Sequence, residues 1–316
     1  MRYWVGTTDS DWFRFLSVRA FDEVNFWQPS ALAPFRTTDI GMPFLFKLKK
    51  PYNHIAGGGF FVGHSAIPLG LAWDIFGQKN GAESLRDLKS RLEGLKRAVA
   101  DPMHAIGCQV ISSPVFLPKE DWLAEPPGWS SNIVRGKMYD TNEADGAEIW
   151  SSIGARLALR HSPLVGEAID QEGVSILETA STDRYGAEAL IRPRLGQGAF
   201  RLLLTDVYKR RCAITGESTL PVLEAAHIVP YSERGGHELW NGLLLRADFH
   251  KLFDAGLVGV SPDLKVRVSP RIRDTWFNGK AYYRLDDQPL AVLPDDPLNR
   301  PDPELLDWHM TSVFQA

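Results

Sequence analysis

Residues 224–257 read EAAHIVPYSERGGHELWNGLLLRADFHKLFDAGL, and this stretch decides the fold. The pattern predicts a short strand that ends at His227, a polar loop, and a second strand that Asn241 opens. A short helix that contains His250 follows the second strand. Two histidines with an asparagine between them, on these elements in this order, are typical of a small metal-dependent site.

The predicted helix carries ordinary signals at both ends. Asp248 suits the N-cap position, and Gly256 suits the position where the chain leaves the helix. His250 and Asp254 are four residues apart, so on a helix they share one face. An imidazole and a carboxylate on one face form half of a binding site for a divalent cation.

These residue types suit the hydrolysis of a phosphodiester bond. That reaction needs a base to activate water and a cation to neutralise charge on the phosphate and the leaving oxygen. His227 fits the base because its unperturbed pKa lies near neutral. Asn241 is expected to orient the imidazole through a hydrogen bond, and His250 and Asp254 are expected to hold the metal.

Residues 208–260 resemble the HNH endonuclease family, whose fold is the ββα-metal finger. The motifs that carry the likeness are Tyr208-x-x-Arg211-Cys212-Ala213-Ile214-Thr215-Gly216, Ala225-Ala226-His227-Ile228-Val229-Pro230, Asn241-Gly242-Leu243-Leu244-Leu245 and His250-Lys251-Leu252-Phe253-Asp254. The resemblance implies that His227 is the general base, that Asn241 orients it, and that His250 binds the metal with Asp254. It also implies Mg2+ as the cofactor, with Mn2+ or Ni2+ as alternatives, and products with 5′ phosphate and 3′ hydroxyl ends.

The chain departs from the family pattern at two positions. Many relatives carry an Asp or His ligand just before the base, and this chain has Ala226 there. Either His250 and Asp254 hold the metal alone, or Glu224 or water completes the ligand set. Many relatives also carry CxxC pairs for zinc, whereas this chain has a single cysteine, Cys212, in that region, so no structural zinc is expected.

A basic segment, residues 192–212, leads into the predicted nuclease, although the formal net charge of the chain is −4. Its residues 194–201 resemble Arg-x-Gly-Gln-x-x-Phe-Arg runs that lie just upstream of the nuclease in some HNH restriction enzymes. A basic surface beside the catalytic motif is what a phosphate backbone requires. The alternatives are a solvated helix face and a set of side chains that fix the helix to its domain. The predicted phosphate contacts are Arg192, Arg194, Gln197, Arg201 and Arg211.

The N-terminal region has a different pattern, with short apolar or alternating runs separated by Gly and Pro. It predicts a compact, curved β-sheet or barrel with two intervening helices. The predicted strands are Tyr3–Thr7, Val24–Trp27, Pro43–Lys47, Gly59–His64 and Cys108–Phe116.

This region resembles the PUA-like superfamily, which includes the EVE, YTH and SRA readers of modified bases. The likeness rests on the early strand with Trp4, the run Phe44-Leu45-Phe46-Lys47, the Gly-rich strand 57–61, and the segment from Trp73 to Gly81. The resemblance implies a pocket for a flipped base, with aromatics that stack on the ring. Each aromatic has a place in the hydrophobic core as its alternative. The predicted pocket residues are Trp27, Gln28, Phe46, Phe60, Ser65 and Trp73.

The predicted fold class is α+β, with an N-terminal PUA-like β-barrel and a C-terminal HNH ββα-metal domain. The predicted boundaries are 1–140 for the barrel, 141–190 for a helical linker, and 191–316 for the nuclease. No apolar stretch is long enough to span a membrane, and the N-terminus predicts a strand rather than a signal peptide. Two distant cysteines, Cys108 and Cys212, favour reduced thiols in a cytoplasmic protein.

A base reader joined to an HNH nuclease resembles modification-dependent (type IV) restriction endonucleases, which defend bacteria against phage. The predicted partner is double-stranded DNA with a modified cytosine, and no membrane is expected. One HNH site cuts one strand, so double-strand cleavage would favour a homodimer. The alternatives are an HNH nuclease with another trigger, such as a homing, toxin or RNA-sensing system, and a non-catalytic protein that binds modified DNA.

Overall fold

The computed structural model describes residues 1–31, 40–95, 105–126, 128–130, 132–161, 195–233 and 235–316. The chain divides into two compact units, Met1–Pro193 and Arg194–Ala316. Among the described residues, no helix combines the length and the apolar character that crossing a membrane requires.

In the described part of the N-terminal unit, seven strands form a single sheet and four α-helices accompany it. The strands are β1 (Arg2–Thr8), β2 (Glu23–Gln28), β3 (Pro43–Leu48), β4 (His54–Pro68), β5 (Ala105–Phe116), β6 (Leu123–Ala124) and β7 (Gly136–Asp140). The helices are α1 (Ser10–Ser17), α2 (Leu69–Phe76), α3 (Leu85–Leu95) and α4 (Ala144–His161). The five strands expected from the sequence are all present, and β4 is longer than expected. The glycines of β4 let the neighbouring strands approach closely. A Cβ at Gly57, for example, would collide with the carbonyl oxygen of Val115.

The sheet is open in the part of the chain that the structure describes. Its strand order is β2-β5-β4-β3-β1-β7, with β6 paired to β4, so β2 and β7 lie at opposite ends. Strands β1 and β3 run parallel, and the other pairs are antiparallel. The closed barrel expected from the sequence is therefore not seen. Closure depends on strand tilt and stagger across the whole sheet, which short alternating runs do not encode.

Helix α4 packs on one face of this sheet. Its side chains Ile149 and Ile153 join Tyr3 and Tyr139 in one hydrophobic cluster. The Tyr3 hydroxyl donates a hydrogen bond of 2.8 Å to the carbonyl oxygen of Gly146. The first part of the expected linker, 141–190, therefore belongs to the N-terminal unit, because α4 buries its apolar side chains there. Residues 162–190 of that linker lie outside the described residues.

In the C-terminal unit, helices pack around a two-stranded hairpin. Its elements are α5 (Gln197–Val207), β8 (Leu223–His227), β9 (Gly242–Arg246), α6 (Ala247–Asp254), β10 (Val258–Val260), β11 (Val266–Val268), α7 (Arg271–Trp276), α8 (Lys280–Tyr283) and α9 (Pro303–Ser312). The strand, strand and helix expected around the histidines are present as β8, β9 and α6. Buried residues Phe200, Leu244, Phe249 and Phe253 form the centre of their shared core.

The ends of α6 differ in part from the expectation. Gly256 adopts a left-handed backbone (φ +66°) after the helix, as the sequence predicts. The N-cap residue, however, is Arg246 rather than Asp248. Asp248 lies in the first turn and accepts hydrogen bonds of 2.6 and 2.8 Å from the Arg246 guanidinium. A carboxylate there also offsets the positive end of the helix dipole, so Asp248 stabilises the same terminus in another way.

Candidate active site

His227 lies at the end of β8 and is held by an aromatic neighbour. It pairs across the hairpin with Gly242. The Phe200 ring of α5 stacks on the imidazole, with centroids 4.2 Å apart and planes inclined by 13°. A Cβ at Gly242 would lie 2.8 Å from the Phe200 ring, so glycine at this position lets the ring approach. The hairpin and α5 thus fix the imidazole that the sequence predicts as the base.

Asn241 is buried at 2% exposure and binds backbone rather than the imidazole. Its Oδ1 accepts a hydrogen bond of 2.9 Å from the Val229 amide. Its Nδ2 donates to the carbonyl oxygens of Val229 and Gly236, at 3.0 and 2.9 Å. The expectation of a direct hydrogen bond to His227 is therefore corrected. Asn241 links Val229 to Gly236, two residues of the loop that follows His227.

His250 is bracketed by two carboxylates, one on each ring nitrogen. Glu224 of β8 accepts a hydrogen bond of 2.7 Å from Nδ1. On the other side, Oδ2 of Asp254 lies 3.4 Å from Nε2. A carboxylate on Nδ1 fixes the tautomer whose Nε2 lone pair is free to bind a metal. Glu224 is thus placed to orient His250, whereas Asp254 is placed to share an ion with it.

The donor atoms Nε2 of His250 and Oδ2 of Asp254 fit a divalent cation. Two ligands that each lie about 2.1 Å from one ion are roughly 3 Å apart, close to the 3.4 Å between these atoms. No group of three or more histidine, cysteine or acidic side chains gathers to hold a metal within the described ranges.

Ala226 occupies the position where many HNH relatives carry a further ligand. Its side chain is fully buried in the core of the C-terminal unit and makes no polar contribution to the site. An alanine side chain at this position has no atom that could bind a metal.

The electrostatic surroundings keep His227 neutral. Burial, together with the smaller effects of the neighbouring His237 and His250, lowers the pKa of His227 to about 4. A neutral imidazole has one unprotonated nitrogen and can accept a proton. His227 is thus in the protonation state that a general base requires near pH 7.

His237 lies beside His227, in the loop between the two strands of the hairpin. Its Nδ1 is 3.0 Å from Nε2 of His227. The Tyr231 ring stacks on its other side, with centroids 5.3 Å apart and planes inclined by 12°. No periodicity or motif points to this contact, because the two histidines are ten residues apart and belong to a strand and a loop.

Helix α5 carries part of the predicted phosphate-binding set. Gln197 is exposed at its first position, and Arg201 follows one turn later on the same face. Arg211 is exposed and donates to the carbonyl oxygen of Gly216 at 3.1 Å, so the structure also gives it a role in a turn. Arg192 and Arg194 lie outside the described residues.

The predicted base-pocket residues of the N-terminal unit divide between the two faces of the sheet. Trp27 and Gln28 are consecutive in β2, so their side chains project to opposite faces. Trp27 and Ser65 both pair with Cys108 and therefore share one face. Gln28, buried at 7% exposure, pairs with Gly107 on the other face. One pocket cannot hold all six residues.

Phe46 belongs to the core rather than to a pocket. It is fully buried and packs against Trp12, Phe26 and Phe116. Stacking on a nucleobase would need an open ring face, which this packing does not leave.

The other aromatic pocket residues keep some exposure. Trp27 is half-buried, and its indole donates to the carbonyl oxygen of Asn80 at 2.8 Å. Trp73 on α2 and Phe60 on β4 are also half-buried. The Ser65 hydroxyl oxygen is buried and has no hydrogen-bond partner within the described residues. Trp27 and Ser65 lie on one face of the sheet.

Comparisons with known proteins agree with the C-terminal geometry. Residues 212–261 match the sequence model of a family described as HNH endonuclease. This segment contains β8, β9 and α6 and therefore all four motif residues. The chain thus carries an HNH endonuclease domain, and it is a nuclease, that is, a phosphodiester hydrolase. The match does not extend into the N-terminal unit.

No curated protein matches the chain. Among solved structures, a chain titled "Modification dependent TagI restriction endonuclease" is similar over 97% of this chain and 81% of its own length, at 13% identity. The TM-score of 0.28 shows neither a common fold nor a common function. The PUA-like character of the N-terminal unit stays a prediction.

Proposed function

We propose that the chain is a modification-dependent DNA endonuclease of the restriction type. Its C-terminal unit hydrolyses a phosphodiester bond with His227 as base and a divalent metal, and its N-terminal unit selects DNA that contains a modified cytosine. The observation that carries the catalytic part is the arrangement of Glu224, His250 and Asp254 beside a neutral His227 in the HNH domain.

His227 accepts the proton of the attacking water in this proposal. Burial and the two neighbouring histidines keep the imidazole unprotonated in the absence of substrate. Phe200 fixes the plane of the ring, and Asn241 fixes the loop that follows it. These contacts set the direction in which the imidazole nitrogen points, and a base needs that direction fixed to act on one water.

His250 and Asp254 are the side chains that would hold the cation. Glu224 orients His250 from the opposite nitrogen. A bound Mg2+ or Mn2+ would supply charge stabilisation for the phosphate and the leaving 3′ oxygen. The carboxylates of Glu224 and Asp254 make the local electrostatic potential negative. A negative potential attracts a divalent cation more strongly than it attracts a singly charged basic side chain.

DNA would approach along the side of α5 that carries Gln197 and Arg201. Gln197 and Arg201 are one turn apart, and a phosphate oxygen can accept hydrogen bonds from both side chains. Contacts of this kind position the backbone without reading sequence, which suits a nuclease whose selectivity is supplied by another domain. Arg192, Arg194 and Arg211 complete the proposed phosphate-binding set.

Selection of a modified cytosine is assigned to the N-terminal unit. A flipped base needs an aromatic surface and a hydrogen-bonding group, and Trp27 with the unpartnered hydroxyl of Ser65 offers both on one face. Trp73 and Phe60 are further aromatic candidates. A homodimer would bring two HNH sites to the two strands.

The test is cleavage of matched DNAs that carry cytosine, 5-methylcytosine, 5-hydroxymethylcytosine or its glucosylated form, each with Mg2+ or Mn2+. The proposal expects cutting only of modified DNA, and Trp27→Ala is expected to remove the preference. Equal cutting of every substrate would keep the nuclease and favour another trigger. Selective binding to modified DNA without any cutting would favour a non-catalytic reader.

A further inference from the structure

His237 and His227 form a pair of imidazoles within the active-site loop. Nδ1 of His237 lies 3.0 Å from Nε2 of His227, which is a hydrogen-bonding distance. Tyr231 stacks on the His237 ring, and Asn241 binds the carbonyl oxygen of Gly236, the residue before it. The ring of His237 therefore has a stacking neighbour of its own, and the backbone just before it is held by Asn241.

The contact decides which nitrogen of His227 can act as the base. Two neutral imidazoles share one hydrogen between the facing nitrogens, so one ring donates and the other accepts. If His237 donated, the lone pair on Nε2 of His227 would be occupied and its Nδ1 would carry a hydrogen. Such a ring has no free nitrogen to accept a proton from water.

The opposite arrangement leaves a usable base. Within the described residues nothing hydrogen-bonds to Nδ1 of His227, and this nitrogen is not among the buried side-chain atoms that lack a partner, so it is accessible. With Nε2–H donating to His237, the Nδ1 lone pair faces outward and is available to water.

We propose that His237 is a positioning residue of the nuclease, which accepts the hydrogen bond from Nε2–H of His227 and so presents Nδ1 to the attacking water. The proposal rests on the role of His227 as base. No motif residue other than His227 contacts His237 through a side-chain hydrogen bond in the described part of the unit. Asn241 fixes the loop, and His237 fixes the ring.

The proton and the bonds balance in this arrangement. The water proton moves to Nδ1 of His227 as the water oxygen forms a bond to phosphorus and the bond from phosphorus to the 3′ oxygen breaks. The leaving oxygen takes a proton from solvent. His227 is then an imidazolium whose Nε2–H still donates to Nδ1 of His237, and a hydrogen bond from a charged donor is stronger than one between neutral groups. His227 returns to its starting state by releasing the Nδ1 proton to water.

The test compares three substitutions at His237 in the full-length protein, with kcat and KM measured on the same cleavable DNA. His237→Leu removes the acceptor at similar bulk and is expected to lower kcat roughly 10- to 100-fold with little change in KM, in the range seen when an orienting partner of a histidine is lost. His237→Asn retains an acceptor oxygen near the place of Nδ1 and is expected to stay within a few-fold of the wild type. His237→Asp places a carboxylate on Nε2–H, so the acidic limb of the pH–kcat profile should move to higher pH.

Controls separate this proposal from the function on which it rests. Ser232→Ala changes an exposed residue of the same loop and should leave kcat and KM unchanged. His227→Ala reports on the base itself: if it cuts as well as the wild type, the proposed base is wrong whatever His237 does. If His227→Ala is inactive but His237→Leu keeps wild-type kcat, His237 has no positioning role. If His237→Leu raised KM alone, His237 would be a DNA contact. If His237→Leu and His237→Asn lowered kcat equally and His237→Asp left the pH–kcat profile unmoved, the role of His237 would be structural. Either outcome overturns the proposal.

Discussion

Replacing Asn241 with alanine tests how the active-site loop is held. The side chain makes three hydrogen bonds of 2.9–3.0 Å to the amide of Val229 and to the carbonyl oxygens of Val229 and Gly236. It is buried at 2% exposure, so Asn241→Ala leaves three backbone groups without their partner. A buried polar group without a partner costs about 1–3 kcal/mol. Water that enters the vacated space recovers part of this, and we expect a net loss of about 3 kcal/mol.

Thermal unfolding and hydrogen exchange together measure this loss. In a unit of this size, about 3 kcal/mol lowers the Tm by roughly 10 °C. Amide exchange should accelerate first in residues 228–241, because the hydrogen bonds lost are all in that loop. Asn241→Asp keeps the acceptor for the Val229 amide but places a carboxylate against two carbonyl oxygens, so it should destabilise at least as much near neutral pH. Asn278→Ala, at an exposed asparagine of the same unit, is the matched control and should change the Tm little.

One result would refute this reasoning. If Asn241→Ala unfolds like the wild type and its loop exchanges at the wild-type rate, yet DNA cleavage is lost, Asn241 acts directly on the imidazole. The hydrogen bonds to Val229 and Gly236 would then have no part in holding the base.

The metal site, the pH dependence of stability and the N-terminal core give further expectations. Glu224→Gln should weaken Mn2+ binding roughly 10- to 100-fold by calorimetry, because it loses the charged partner of His250 Nδ1; unchanged affinity would remove Glu224 from the site. The C-terminal unit should lose stability as the pH falls from about 6.5 towards 4, since the folded pKa of His227 is lowered to about 4 and the unfolded chain takes up its proton first. After allowance for partial exposure, the expected loss in the free energy of unfolding is about 2 kcal/mol. In urea unfolding across this pH range, the stability of His227→Gln should depend less on pH than that of the wild type. An equally steep pH dependence in the variant would contradict the lowered pKa. Phe46→Ala should destabilise the N-terminal unit by about 3–5 kcal/mol in urea unfolding, because the ring is fully buried. Trp27→Ala should leave the fold intact and weaken binding to modified DNA. If instead Phe46→Ala weakened binding without loss of stability, and Trp27→Ala lost stability, Phe46 would belong to the pocket.

Much of the C-terminal site could be predicted because its signals are local. His227 ends a strand, Asn241 precedes the next one, and His250 and Asp254 are one helical turn apart; each relation lies within a few residues of sequence. The partners of Asn241 could not be predicted in the same way. They are backbone groups in a loop whose path is set by hydrogen bonds at both of its ends, and the contact of His237 with the base depends on that path.

The N-terminal unit shows what local patterns leave open. Alternating runs identify strands, but they do not say whether the first and last strands meet, and β2 and β7 do not pair in the described sheet. Alternation does imply that consecutive residues such as Trp27 and Gln28 face opposite sides, so their assignment to one pocket could have been excluded from the sequence. The burial of Phe46 could not, because it depends on side chains from α1, β2 and β5 that meet only in the fold.

Metal-dependent nicking of supercoiled DNA by the wild type and by His227→Ala tests the central claim most directly. A modified plasmid is incubated with Mg2+ or with a chelator, and Ser232→Ala serves as the matched control. The account predicts that the wild type and the control nick the plasmid only with the metal. It predicts that His227→Ala, folded by its melting curve, is slower by about 100-fold or more. Wild-type nicking by His227→Ala, or cutting that persists in the chelator, would contradict it.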